Sequence, residues 1–154
     1  PHLYCCILFH IAGDADHDDE YSQGLKTSAQ NNPDILLTGY ITGDELRQVY
    51  SHARLFVLPS YHEGLPIALL EALSYGLPSL VSDIPANLEV KLAEEHYFRC
   101  KDVENLRNKL VKLWLKNFSN YEKEQLIEFV KLKYDWQKIA EQTISVYERA
   151  LSES

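Results

Sequence analysis

Apolar residues fall along this chain in two rhythms, short unbroken runs and longer stretches in which they recur every three or four positions. The runs read as buried strands: Tyr4 to Ala12, Ile35 to Thr38, Leu55 to Leu58, Ser79 to Val81 and a short His96 to Arg99. The periodic stretches read as helices. They cover Glu20 to Asn31, Asp44 to His52 with Leu46, Val49 and Tyr50 on one face, a segment opening at Glu63-Gly64, and a short Asn87 to Ala93 that carries Glu89. Three more follow: one from Asp102 with Leu106, Leu110, Leu113 and Trp114 at helical spacing, Tyr121 to Tyr134, and Trp136 to Leu151. The last places Ile139, Thr143, Val146, Tyr147 and Ala150 along one side. Asn31-Asn32-Pro33-Asp34, Pro59-Ser60, Gly76 with Pro78, and Asn117 to Asn120 separate these elements, as turn and breaker residues do. Strands alternating with helices over short connections predict an α/β fold, a doubly wound, Rossmann-like parallel sheet of about five strands followed by C-terminal helices.

Composition narrows the class. At 154 residues the chain predicts a single domain, and its formal charge of −8 argues against a surface made for nucleic acid or an anionic membrane. Cys5, Cys6 and Cys100 lack metal-ligand spacing and read as reduced thiols. No apolar stretch approaches the ~20 residues of a membrane span. A chain with no methionine that begins Pro1-His2-Leu3 is expected to be a piece of something longer.

In such a sheet, ligands sit beyond the carboxyl ends of the strands. Gly13-Asp14, Gly39-Tyr40-Ile41 and Ser60-Tyr61-His62-Glu63-Gly64 all fall there. The third loop is the richest: the amides of Gly64, Leu65 and Ile67 lie where a helix N-terminus favours an anion, and Pro66 has no N–H to lose. Glu63 can accept sugar hydroxyls, and Glu71, one turn beyond Ile67, can take two hydroxyls of a ribose. Leu69, Leu70, Ala72 and Leu73 predict apolar surroundings for Glu71, where an unpaired acid is costly.

The run Ser60-Tyr-His-Glu-Gly-Leu-Pro-Ile-Ala-Leu-Leu-Glu-Ala72, followed by Gly76-Leu-Pro78, resembles the Glu-x7-Glu signature of retaining family 4 glycosyltransferases. Ile11-Ala-Gly-Asp14, Leu37-Thr-Gly-Tyr-Ile41 with Glu45-Leu46, Ala53 to Ser60 and Tyr134-Asp-Trp136 stand in that family's order. The resemblance implies the C-terminal half of a GT-B fold that binds a UDP-, GDP- or ADP-sugar. It implies that Glu63 is the catalytic-site acid facing the donor sugar, and that Gly64, Leu65, Pro66 and Ile67 line sugar and phosphate. Glu71 would hold the ribose and Tyr40 and Ile41 line the base, with Gly13 and His62 as further candidates. No metal or other cofactor is implied. The acceptor, a glycan or a lipid-linked acceptor, would be met by an N-terminal domain outside this chain. The implied setting is cytoplasmic, with a peripheral place at the inner membrane face open to the full-length enzyme.

The family's domain starts one strand and helix earlier, with an Arg and a Lys that clamp the diphosphate, so the chain alone is expected to be inactive. Other readings compete. A non-catalytic nucleotide-sugar-binding module, or half of a GT-B sugar-nucleotide epimerase, shares the fold. A phosphoacceptor-type domain would need clustered acids around one strand end plus a Lys, and no Lys is expected near Asp14. Asp14, Asp16 and Asp18 begin like a calcium loop, but Asp19 stands where Gly is needed and Leu25 where Glu is needed. A solvated acidic helix start is the simpler reading. Ser60 has no Gly two residues before it and is no nucleophile elbow. His10, His62 and His96 are isolated, and Trp114 and Trp136 are expected to pack in the core.

Overall fold

The computed structural model describes residues 8–15, 17 and 19–152. The expectations for Tyr4 to Ile7, Cys5, Cys6, Asp16 and Asp18 lie outside the described residues. The chain divides into two compact units, one up to Val49 and one from Tyr50.

In the first unit, β1 (Phe9–Ala12) pairs in parallel with β2 (Ile35–Gly39), and α1 (Glu20–Gln30) joins them. Asp19 caps α1 and exchanges a reciprocal capping box with Ser22, satisfying two amides that the helix leaves free. Helix α2 (Gly43–His52) leads from this unit into the second.

In the second unit, β3 (Phe56–Leu58), β4 (Ser79–Ser82) and β5 (Tyr97–Phe98) form a parallel ladder in that order. Helix α3 (Ile67–Ser74) crosses from β3 to β4. Helix α4 (Pro85–Leu88), a single 3-10 turn at Glu94–His96, α5 (Val103–Leu115), α6 (Asn120–Lys133) and α7 (Trp136–Ser152) complete it. Strand β4 is buried throughout, and its alternating side chains feed two cores. Val81 joins Leu69, Leu70, Leu73 and Val90 on one face, where Leu126, Phe129 and Val130 of α6 pack. Leu80 joins Phe98 and Leu113 on the other, beneath α5.

The C-terminus of α3 is fixed by Gly76, whose φ of +66° lets its amide reach the Leu73 carbonyl while the Leu77 amide reaches Ala72. A Cβ at Gly76 would stand 3.0 Å from Lys123 of α6, so the glycine also permits close helix approach.

Several boundaries differ from the sequence reading. The five described strands are all paired in parallel, but as a two-stranded and a three-stranded ladder, one in each unit. Helix α3 begins at Ile67, with Pro66 at the cap, so Glu63 and Gly64 stand in the loop ahead of it. The short fourth helix spans Pro85–Leu88, and the left-handed φ of 63° at Lys91 keeps it from running on to Ala93. Trp136 is 66% exposed, on a helix none of whose residues is buried.

Candidate functional site

Everything distinctive about the Glu63 loop follows from its place between β3 and α3. Pro66 caps α3 with no side-chain acceptor, and its own ring is fully buried, so it serves the core. The Ile67 amide turns back to the Leu65 carbonyl at 2.8 Å and is spent on the backbone. The amides of Gly64, Leu65 and Ala68 have no acceptor among the described residues, leaving three donors around the positive end of the helix.

Each of the two acids is held by a hydroxyl through one oxygen. Ser60 Oγ donates to Glu63 Oε1 at 2.7 Å. The Tyr50 hydroxyl donates toward Glu71 Oε2 at 3.3 Å, sharing the Ala68 carbonyl at the same distance. Burial, and then the charge of Glu71, pushes the Tyr50 phenol up to about 12, so it stays a donor at any physiological pH. Glu63 Oε2 and Glu71 Oε1 have no partner among the described residues. Two carboxylates are thus oriented, each with one oxygen open to accept a ligand hydroxyl.

Glu71 lies on the exposed side of α3, which corrects the expectation of apolar surroundings. Helical spacing turns Leu69, Leu70 and Leu73 inward and Glu71 outward. His62 is exposed on the loop, and Leu65 and Ile67 are about half exposed beside the open amides. Ser60 and Tyr50 were not singled out by sequence as orienting groups. For Ser60 the signal was its position three residues before Glu63; for Tyr50 nothing local pointed to a partner 21 residues away.

The remaining candidates belong to the first unit. Gly13 has a φ of 122°, and its amide bonds the carbonyl of Gly39, itself at a φ of 65°. Both loops therefore need glycine at the strand ends. Tyr40, immediately beyond, is 85% exposed, and Ile41 is half-buried. The expectation that no Lys lies near Asp14 is corrected by the fold. Lys26 of α1 reaches Asp14 at 3.3 Å, so a lysine does stand near that acid in space. With the Ala15 amide, whose bond is the larger cause, it holds the Asp14 carboxyl below its usual range. His96 is buried, its Nδ1–H donating to the Ser79 carbonyl at 2.7 Å, a structural post. No group of three or more metal-ligating side chains occurs among the described residues. None of their helices is long and apolar enough to cross a membrane.

A three-stranded parallel ladder with helices on both faces, an amide-rich loop carrying Glu63 beyond β3, and Glu71 on the helix that follows make a doubly wound α/β unit, and its structural neighbours are glycosyltransferases of the GT-B fold. The solved sucrose-phosphate synthase of Thermosynechococcus elongatus superposes over 94% of this chain and 39% of its own length, with a TM-score of 0.79 at 20% identity. The chain belongs to the family described as glycosyl transferases group 1, whose model matches residues 4–116. Among its relatives, the uncharacterized glycosyltransferase MJ1607 of Methanocaldococcus jannaschii is 28% identical over 146 residues, 92% of this chain and 37% of that protein. The serotype-specific mannosyltransferase WbdA of Escherichia coli is 31% identical over 120 residues, 78% of this chain and 15% of that protein. The chain therefore spans little more than a third of the first relative and much less of the second. Family membership, rather than the surroundings of Asp14, is what separates this domain from a phosphoacceptor.

Proposed function

We propose that this chain is the nucleotide-sugar-binding domain of a retaining, family 4 glycosyltransferase that transfers a sugar from a nucleoside diphosphate to a glycan or glycoconjugate acceptor. The observation that supports it best is the pair of half-tethered acids, Glu63 and Glu71, flanking the open amides of Gly64, Leu65 and Ala68. In this reading the amides receive the diphosphate, whose charge grows as the sugar departs. Glu71 holds the ribose through its open oxygen. Glu63 orients the donor sugar and stabilises positive charge at its anomeric carbon, while Tyr40 and Ile41 line the base.

The donor is a UDP-, GDP- or ADP-sugar, and transfer proceeds without a metal. The basic clamp for the diphosphate comes from a preceding strand–helix unit, and the acceptor from an N-terminal domain, both outside this chain. That acceptor domain also covers α7. The full-length enzyme works in the cytoplasm, at the inner membrane face where its acceptor is lipid-linked.

Calorimetric titration with UDP-glucose, GDP-mannose and ADP-glucose tests the reading. One donor binds, and Glu71→Ala weakens it about tenfold, the worth of a hydrogen bond to a charged group. Absence of binding at millimolar donor, in a protein that carries the preceding strand as well, would overturn it. Sugar transfer by the present chain alone would overturn the claim that the acceptor domain is required.

A further inference from the structure

Behind the Glu63 loop a line of hydrogen bonds begins at a buried amide. Asn87, the third residue of α4, is fully buried. Its Nδ2 donates to the Ser82 carbonyl at 2.9 Å and to Ser82 Oγ at 3.2 Å. Ser82, itself fully buried at the end of β4, donates a hydrogen bond from its hydroxyl to the Ser60 carbonyl at 2.6 Å. Ser60 then donates through Oγ to Glu63 at 2.7 Å.

Direction is what this relay adds. Because Ser82 Oγ accepts from Asn87, its own hydrogen is committed to the Ser60 carbonyl and these two bonds polarise one another, while the Ser60 hydroxyl is tied to them only through that residue's backbone. The carbonyl of Ser60 is thereby anchored to the neighbouring strand at the point where the chain leaves β3. The same residue's side chain is left at a fixed reach from Glu63. Core stability alone does not account for the amide: Asn87 Oδ1 is buried with no partner, a state less favourable than an apolar side chain of similar size.

We propose that Ser82 and Asn87 are positioning residues for the donor sugar, acting through Ser60 on the carboxylate of Glu63. The inference rests on the donor-site reading above and deepens it. It concerns the sugar alone, since Glu71 and the amides meet the nucleotide.

The test compares binding of a nucleotide sugar with binding of its bare nucleotide, using GDP-mannose with GDP, UDP-glucose with UDP and ADP-glucose with ADP. Ser82→Ala weakens the sugar nucleotide about fivefold, the worth of one hydrogen bond, and leaves the bare nucleotide unchanged. Ser82→Cys, which leaves no cavity and puts a poor donor in place of the hydroxyl, shifts in the same direction and guards against loss of folding. In a Ser60→Ala background the Ser82 substitutions become silent, because the Oγ through which they act is gone. Equal weakening of nucleotide and sugar nucleotide, no weakening of either, or additive effects in the double variant would each overturn the proposal. Glu71→Ala separates the two failures. If it weakens both ligands while folded Ser82 variants do not discriminate between them, the relay is wrong and the donor site stands; if no nucleotide binds at millimolar concentration even to a protein that carries the preceding strand, both fall.

Discussion

Helices α3 and α7 are both apolar on one side, yet they end in opposite situations. Eight residues long, α3 places Leu69, Leu70, Ala72 and Leu73 in the core, while α7, at seventeen residues, places none there. On α7, Ile144, Val146, Tyr147 and Leu151 are each more than half exposed. The difference lies in what each helix is attached to. Strands β3 and β4 hold α3 at both ends and pair with one another, so the helix must lie on the sheet, and α6 closes over its far side. Helix α7 is joined to α6 through Tyr134 and Asp135, and none of its residues is buried among the described residues. An apolar stripe selects a face; only topology supplies the surface opposite.

The largest expected effect lies on the packed side of that contrast. Leu73→Ala removes a fully buried side chain between the sheet and α6, and should destabilise the chain by about 2–5 kcal/mol in urea denaturation. A loss under ~1 kcal/mol would mean that the core around α3 collapses freely into the space, and that its packing is no tighter than that of an exposed helix.

The contrast also explains what could be read in advance. Strand and helix order was legible because continuous apolar runs and helical spacing are local signals, and so was the Glu63 loop, whose residues are contiguous. The outward turn of Glu71 was equally present in the spacing of Leu69, Leu70 and Leu73, but was masked by the apolar character of its immediate neighbours. Trp136 was misplaced in the core because periodicity cannot report whether a partner exists. The contacts Tyr50 to Glu71, Lys26 to Asp14 and Asn87 through Ser82 to Ser60 join residues apart in sequence, and only the fold brings them together. The split into two parallel ladders was likewise hidden, since pairing partners are not encoded in strand pattern.

Acid should loosen the packed side gradually. Helix α6, which backs α3, starts at a capping box in which Ser119 donates to Glu122 from its amide and its hydroxyl, both at 2.9 Å, and Lys116 adds an ion pair at 3.1 Å. The Ser119 amide, then its hydroxyl and Lys116, push the Glu122 carboxyl down to about 2 from its ordinary 4.5. A carboxyl depressed by folding contributes stability that is fully present above its unfolded value and is lost as pH falls toward its folded one. Thermal melts should therefore decline between about pH 4.5 and pH 2, with a shallower decline in Glu122→Gln. An unchanged slope in that variant would place the acid sensitivity elsewhere than at the start of α6.

The smallest effect is expected on α7, and it decides the comparison. Ile144 is 56% and Tyr147 66% exposed, so truncating either to alanine forfeits little buried area and removes no hydrogen bond described for either side chain. Alanine is also the better helix former, which offsets the small packing loss. Each substitution should leave urea stability within ~0.5 kcal/mol of the parent. A loss above ~1 kcal/mol in either would require the side chain to be covered in solution, and α7 would then be a docked element like α3. If both remain neutral here yet weaken a protein that also carries the acceptor domain, the stripe on α7 is an interface awaiting that domain.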